Sequence, residues 1–97
     1  METATLYRTE GTALTISPSN GKNFNLQELY KWLGCEMIEV LNLPNLKGQI
    51  LICDEEALCN GNNIVNRRAT EVYRKAWDSD EVGVVGDAIL CPSKMLR

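Results

Sequence analysis

No histidine occurs anywhere in the 97 residues. Without an imidazole there is no Ser-His-Asp or Cys-His catalytic pairing, no imidazole metal ligand and no histidine charge switch near neutral pH. No apolar run approaches the roughly 18 residues that a membrane-spanning helix needs. The start of the chain, Met1 to Thr5, has neither the basic nor the apolar stretch of a secretory signal. No C-x-x-C pair is present, and neither a Walker sequence nor a G-x-G-x-x-G occurs. Gly83 and Gly86 come late, in a strand-like stretch with no helix after them to hold a phosphate. Three Pro and seven Gly are too few for a collagen-like or low-complexity chain.

What is present is an ordinary globular composition. Hydrophobic residues make up 44% and charged residues 24%. That is enough for one modest core, so a single domain over residues 1–97 is expected. Thirteen acids against ten bases leave a net charge of −3. A DNA-backbone binder usually carries a basic face, so the charge argues against nucleic acid as a partner. Equally, −3 is too weak for an acidic nucleic-acid mimic. The charge is spread evenly: five acids and four bases in residues 1–48, eight and six in residues 49–97.

Four cysteines stand at 35, 53, 59 and 91, and three of them have apolar neighbours: Met37-Ile38, Ile50-Leu51-Ile52 and Ala88-Ile89-Leu90. Cysteine in such surroundings behaves as a small buried hydrophobe. Reduced thiols imply a cytoplasmic protein, although a disulfide or a thiolate metal site is a standing alternative.

The chain reads as β-β-α-β-β-α-β. Residues 5–10 and 12–17 form two short strands, with Leu14 and Ile16 alternating with Thr15 and Ser17, and Gly11-Thr12 makes a hairpin. Asn25 is a good N-cap and Glu28 stands three residues on, while Phe24 and Leu29 make a hydrophobic staple. Leu26, Leu29, Tyr30 and Leu33 follow at helical spacing and Gly34 ends the run, which predicts a helix over residues 26–33. Residues 35–43 and 49–53 read as strands joined by a short turn, the second covered on both faces. From Val65, apolar residues at 69, 72, 73, 76 and 77 predict a second helix, ended by Asp78-Ser79-Asp80. A last strand runs over residues 82–91, with Gly86-Asp87 as a bulge or turn, and Pro92 stops its pairing. An α+β fold follows: a two-layer sandwich of a mainly antiparallel, roughly five-stranded sheet with both helices on one face.

Two polar clusters are candidates for chemistry. Asp54-Glu55-Glu56 closes a strand, and carboxylates there suit Mg²⁺ or acid–base work. Successive residues of an extended segment point apart, however, and a solvated turn is the plainer reading. The second cluster is Asn60, Asn62, Asn63, Asn66, Arg67 and Arg68 at the start of the second helix, where N–H groups and arginines suit a phosphate. The plainer reading is that asparagines serve turns and cap the helix, with the arginines in solvent. Trp32 lies off the apolar face of the first helix, either as an interface anchor or packed at the sheet edge.

From Leu26 onward the chain resembles the domain of unknown function 3846 family. The resemblance rests on Leu26-Gln27-Glu28-Leu29, Leu33-Gly34-Cys35-Glu36-Met37-Ile38-Glu39-Val40 and Leu51-Ile52-Cys53-Asp54-Glu55-Glu56. It continues through Asn66-Arg67-Arg68-Ala69-Thr70 and Val85-Gly86-Asp87-Ala88-Ile89-Leu90, and departs at a longer Cys59-Asn60-Gly61-Asn62-Asn63 stretch. It implies a gut-bacterial, phage or mobile-element setting and no activity. It draws attention to the polar pieces, which core packing explains less well than apolar ones. The site expected from sequence is therefore a ligand-binding one at Asp54, Glu55, Asn66, Arg67 and Arg68. The expected function is binding of a host protein or a phosphorylated small ligand, with no catalytic residue, cofactor or metal assigned. The alternatives are a Mg²⁺-dependent hydrolase or transferase using Asp54 and Glu55, and a nucleic-acid-binding module using Arg67, Arg68, Arg74 and Lys75.

Overall fold

Alternation along the strands sets the architecture. In β4 (Gln49–Asp54), Ile50 and Ile52 are buried in one apolar cluster, and Leu51 and Cys53 in another. Successive side chains of a strand point to opposite faces, so a strand apolar at both parities has to be covered on both. β5 (Ala88–Pro92) repeats the pattern, with Ile89 and Cys91 in the first cluster, Ala88 and Leu90 in the second.

The computed structural model describes residues 3–55, 65–77 and 83–96. The other elements are β1 (Ala4–Tyr7), β2 (Ala13–Ile16), α1 (Leu26–Leu33), β3 (Ile38–Asn42) and α2 (Arg67–Trp77), with a short 3-10 turn at Ser93–Met95. The five strands form one fully antiparallel sheet in the order β2-β1-β5-β4-β3. The last strand thus fills the gap between the N-terminal hairpin and the β3–β4 pair, and sequence-distant residues meet across it. The α+β class, the sheet and the element order are as the sequence predicts.

The placement of the helices is not. Leu29 and Leu33 of α1 pack with Ala4, Leu6, Ile50, Ile52, Ile89 and Cys91, while Ala69 and Ala76 of α2 pack with Leu51, Cys53 and Ala88. The helices lie on opposite faces, in three layers rather than two. The cause is the apolar double parity of β4 and β5: one helix layer leaves either Ile52 or Leu51 in water, at about 1.5–3 kcal/mol for each such side chain.

α1 forms where expected. The Asn25 side chain accepts from the Glu28 N–H at 2.9 Å, and Glu28 accepts in return from the Asn25 N–H at 3.4 Å. Gly34 ends the helix at φ 63°, where a side chain is strained. Beneath α1, Phe24 and Met95 are both fully buried and are joined by a 2.7 Å bond from the Phe24 N–H to the Met95 carbonyl.

α2 is capped by Asn66, which is wholly buried. Its side-chain oxygen accepts from the Ala69 N–H at 3.1 Å, and its amide group donates to the carbonyls of Tyr7 at 2.8 Å and Gly86 at 2.9 Å. One side chain thereby ties the helix start to the end of β1 and to the segment before β5. Pro92 remains in register, opposite Gln49 at the end of β5, rather than standing beyond the pairing.

Glu56, the stretch Cys59-Asn60-Gly61-Asn62-Asn63, the helix end at Asp78-Ser79-Asp80 and the strand start at Val82 lie outside the described residues. Among the described residues, no helix is long and apolar enough to cross a membrane.

Candidate ligand-binding cleft

The residues expected as a site fall at the end of β4 and at the start of α2. Asp54 ends β4 half-buried, and alternation puts it with Ile50 and Ile52 on the α1 face. Glu55 is exposed in the turn that follows, its N–H donating to the Met37 carbonyl at 3.1 Å. Arg67 and Arg68 are exposed at the start of α2, on the other face of the sheet. Asn66 is committed to its three bonds inside the protein, with both amide hydrogens donated. The plainer reading of this cluster, an asparagine capping the helix beside arginines in solvent, describes what is seen.

A cleft of about 630 Å³ lies elsewhere, between α1 and the β1–β2 hairpin. α1 supplies Glu28, Lys31 and Trp32, which stand at i, i+3 and i+4 and so share one side of the helix. Arg8, just after β1, and Ser17, just after β2, come from the hairpin, with Ser19 from the loop beyond. Asp87 arrives from just before β5.

Formal charge in the cleft balances, two cations against two carboxylates, but the hydrogen-bonding capacity does not. Glu28 accepts from the N–H of Ser19 at 2.9 Å with one oxygen and from that of Asn25 with the other. Asp87 accepts from the Thr9 N–H at 3.0 Å and from the Arg8 guanidinium at 3.4 Å. Both carboxylates are thus engaged in holding the hairpin and the helix cap in place. Arg8 has further N–H groups to donate, and Lys31 is exposed with three. The cleft offers donors, and so favours a ligand rich in acceptors.

One wall is aromatic. Trp32 is 36% exposed and lines the cleft, neither buried at the sheet edge nor fully in water. Of these residues, sequence reasoning singled out Trp32 as a candidate contact and Glu28 as a cap. It missed Arg8, Lys31, Ser17, Ser19 and Asp87. Arg8 and Asp87 are 79 positions apart and meet only because β5 pairs with β1. The signal that was available is the Glu28-Lys31-Trp32 stripe on the outer side of α1.

The buried thiols of Cys53 and Cys91 are poor nucleophiles. Burial, helped by the negative charges of Glu39 and Asp54, pushes Cys53 up to about 12, and burial pushes Cys91 up to about 11. Among the described residues, no three Cys, Asp or Glu side chains gather as a metal site requires.

No curated protein and no solved structure matches the chain. A family model does, over residues 5–94, nearly the whole chain and including both sides of the cleft. With its five-stranded antiparallel sheet and two helices, the chain belongs to the family described as domain of unknown function DUF3846.

Proposed function

We propose that this chain acts by binding, as an accessory protein of a phage or mobile element, and that the cleft between α1 and the β1–β2 hairpin takes a phosphorylated small ligand. The observation that carries this reading is the surplus of donors at Arg8 and Lys31 beside carboxylates already engaged by backbone N–H groups. Charge-assisted bonds from arginine and lysine to phosphate oxygens are the strong kind. The volume lies within the range of about 300–1,000 Å³ that ligand pockets occupy.

Thermal shift and calorimetry with pyrophosphate, ribose 5-phosphate and ADP test it. A ligand present at about 100 times its Kd stabilises the fold by about 2.7 kcal/mol. The paired substitution Arg8→Ala and Lys31→Ala is expected to abolish that gain. It leaves the fold largely intact, since a half-exposed pair such as Arg8–Asp87 is worth about 0–1 kcal/mol. Absence of a shift with every phosphorylated compound overturns the reading.

A second reading, contact with an acidic segment of a host protein, is favoured by Arg67 and Arg68. Both are exposed at the helix start, with no side-chain partner among the described residues.

A further inference from the structure

We infer that the ligand of this cleft is a nucleoside phosphate, its base lying against the indole of Trp32 while its phosphate takes the donors of Arg8 and Lys31. The inference rests on reading the cleft as a phosphate site and adds what the rest of the cleft selects. Lys31 and Trp32 are adjacent on α1, so cation and ring line the same cleft from one helix. A bare phosphate or a sugar phosphate engages the cations but leaves the indole in water, and most of the roughly 630 Å³ unfilled. A partly exposed tryptophan on a cleft wall is a stacking surface for any base, because every base has a π-face.

Engaged carboxylates sharpen the point. Glu28 and Asp87 hold partners within the chain, Asp87 holding Arg8 as well, so the cationic N–H groups left over and the hydroxyls of Ser17 and Ser19, which donate or accept, suit a ligand with acceptor atoms. Phosphate, ribose oxygens and base-ring nitrogens are acceptors. The chain's net charge of −3 favours a small ligand over a long polyanion, whose many charges it would repel.

The test compares ADP with ribose 5-phosphate on the full chain. ADP is expected to bind about tenfold more tightly or better, and to quench tryptophan fluorescence, while ribose 5-phosphate leaves the fluorescence unchanged. Trp32→Leu should remove the quenching and the tenfold advantage and leave ribose 5-phosphate affinity as it was. Trp32→Phe, which keeps a ring, should recover most of the ADP affinity and controls for loss of fold. Equal binding of the two compounds, or ADP binding unaffected by Trp32→Leu, overturns the base-stacking inference and leaves the phosphate reading standing. Binding of neither compound overturns both.

Discussion

Asn66 shows how much one polar side chain can organise. It is fully buried, and its amide spans the start of α2, the end of β1 and the segment before β5. Asn66→Ala removes the donor to the Tyr7 and Gly86 carbonyls and the acceptor for one helix-end N–H at once. We expect a loss of roughly 2–4 kcal/mol, read as a lowered urea midpoint with an unchanged slope. Asn66→Asp keeps an acceptor for the Ala69 N–H but aims a carboxylate at the two carbonyls, and should be no better. The buried thiols make a second residue-scale prediction, with a definite sign. Cys53 and Cys91 have folded values of about 12 and 11 against an ordinary 9.0. Below pH 9 both the folded and unfolded chains keep these protons, and stability is whole. Above it the unfolded chain ionises first, so stability falls as pH rises from about 9 towards 11 and 12, by about 1.4 kcal/mol per pH unit for each thiol. Urea titrations between pH 8 and 10.5 should show this fall, and Cys53→Ala should flatten its part. An equal slope in the variant removes the assignment.

At the scale of elements, what is local was legible and what is long-range was not. The helix over residues 26–33 could be read to the residue, because its start, its stripe and its stop are all local signals: the reciprocal Asn25–Glu28 bonds, Leu29 and Leu33, and Gly34 in the left-handed region. Strand bounds shifted more: β3 begins at Ile38, three positions after Cys35, and β5 at Ala88, six positions after the expected start at 82. Strand ends are fixed by a partner across the ladder, and the order β2-β1-β5-β4-β3 is invisible in any one segment. The same separation hid the candidate cleft. Arg8, Ser17 and Asp87 carry no shared motif, and only the insertion of β5 beside β1 brings Asp87 to the hairpin. In contrast, Asn66, which stood out in sequence within a polar piece, is accounted for by its work at the helix start and by the two carbonyls it holds.

For the whole molecule the decisive fact is that the sheet has two apolar faces. The continuous run Ile50-Leu51-Ile52-Cys53 already demands cover on both sides, and that demand overrides the simpler expectation of one helical layer. It also makes the three-layer arrangement measurable. Ile52 and Leu29 lie in the same cluster, whereas Leu51, next to Ile52 in the chain, lies in the cluster under α2. Leu29→Ala, Ile52→Ala and Leu51→Ala should each cost about 2–5 kcal/mol. Residues that share a cluster relax into a common cavity, so Leu29→Ala with Ile52→Ala should be non-additive by about 0.5–3 kcal/mol. Leu29→Ala with Leu51→Ala should add within about 0.5 kcal/mol, because the sheet backbone separates the two cavities. Where a double variant is too unstable to fold, Leu29→Val and Ile52→Val run the same cycle at smaller cost. Coupling of Leu29 to Leu51 as strong as its coupling to Ile52 would place both helices over one face and sink the three-layer fold. Since α1 also carries Lys31 and Trp32, it would move the wall of the cleft as well.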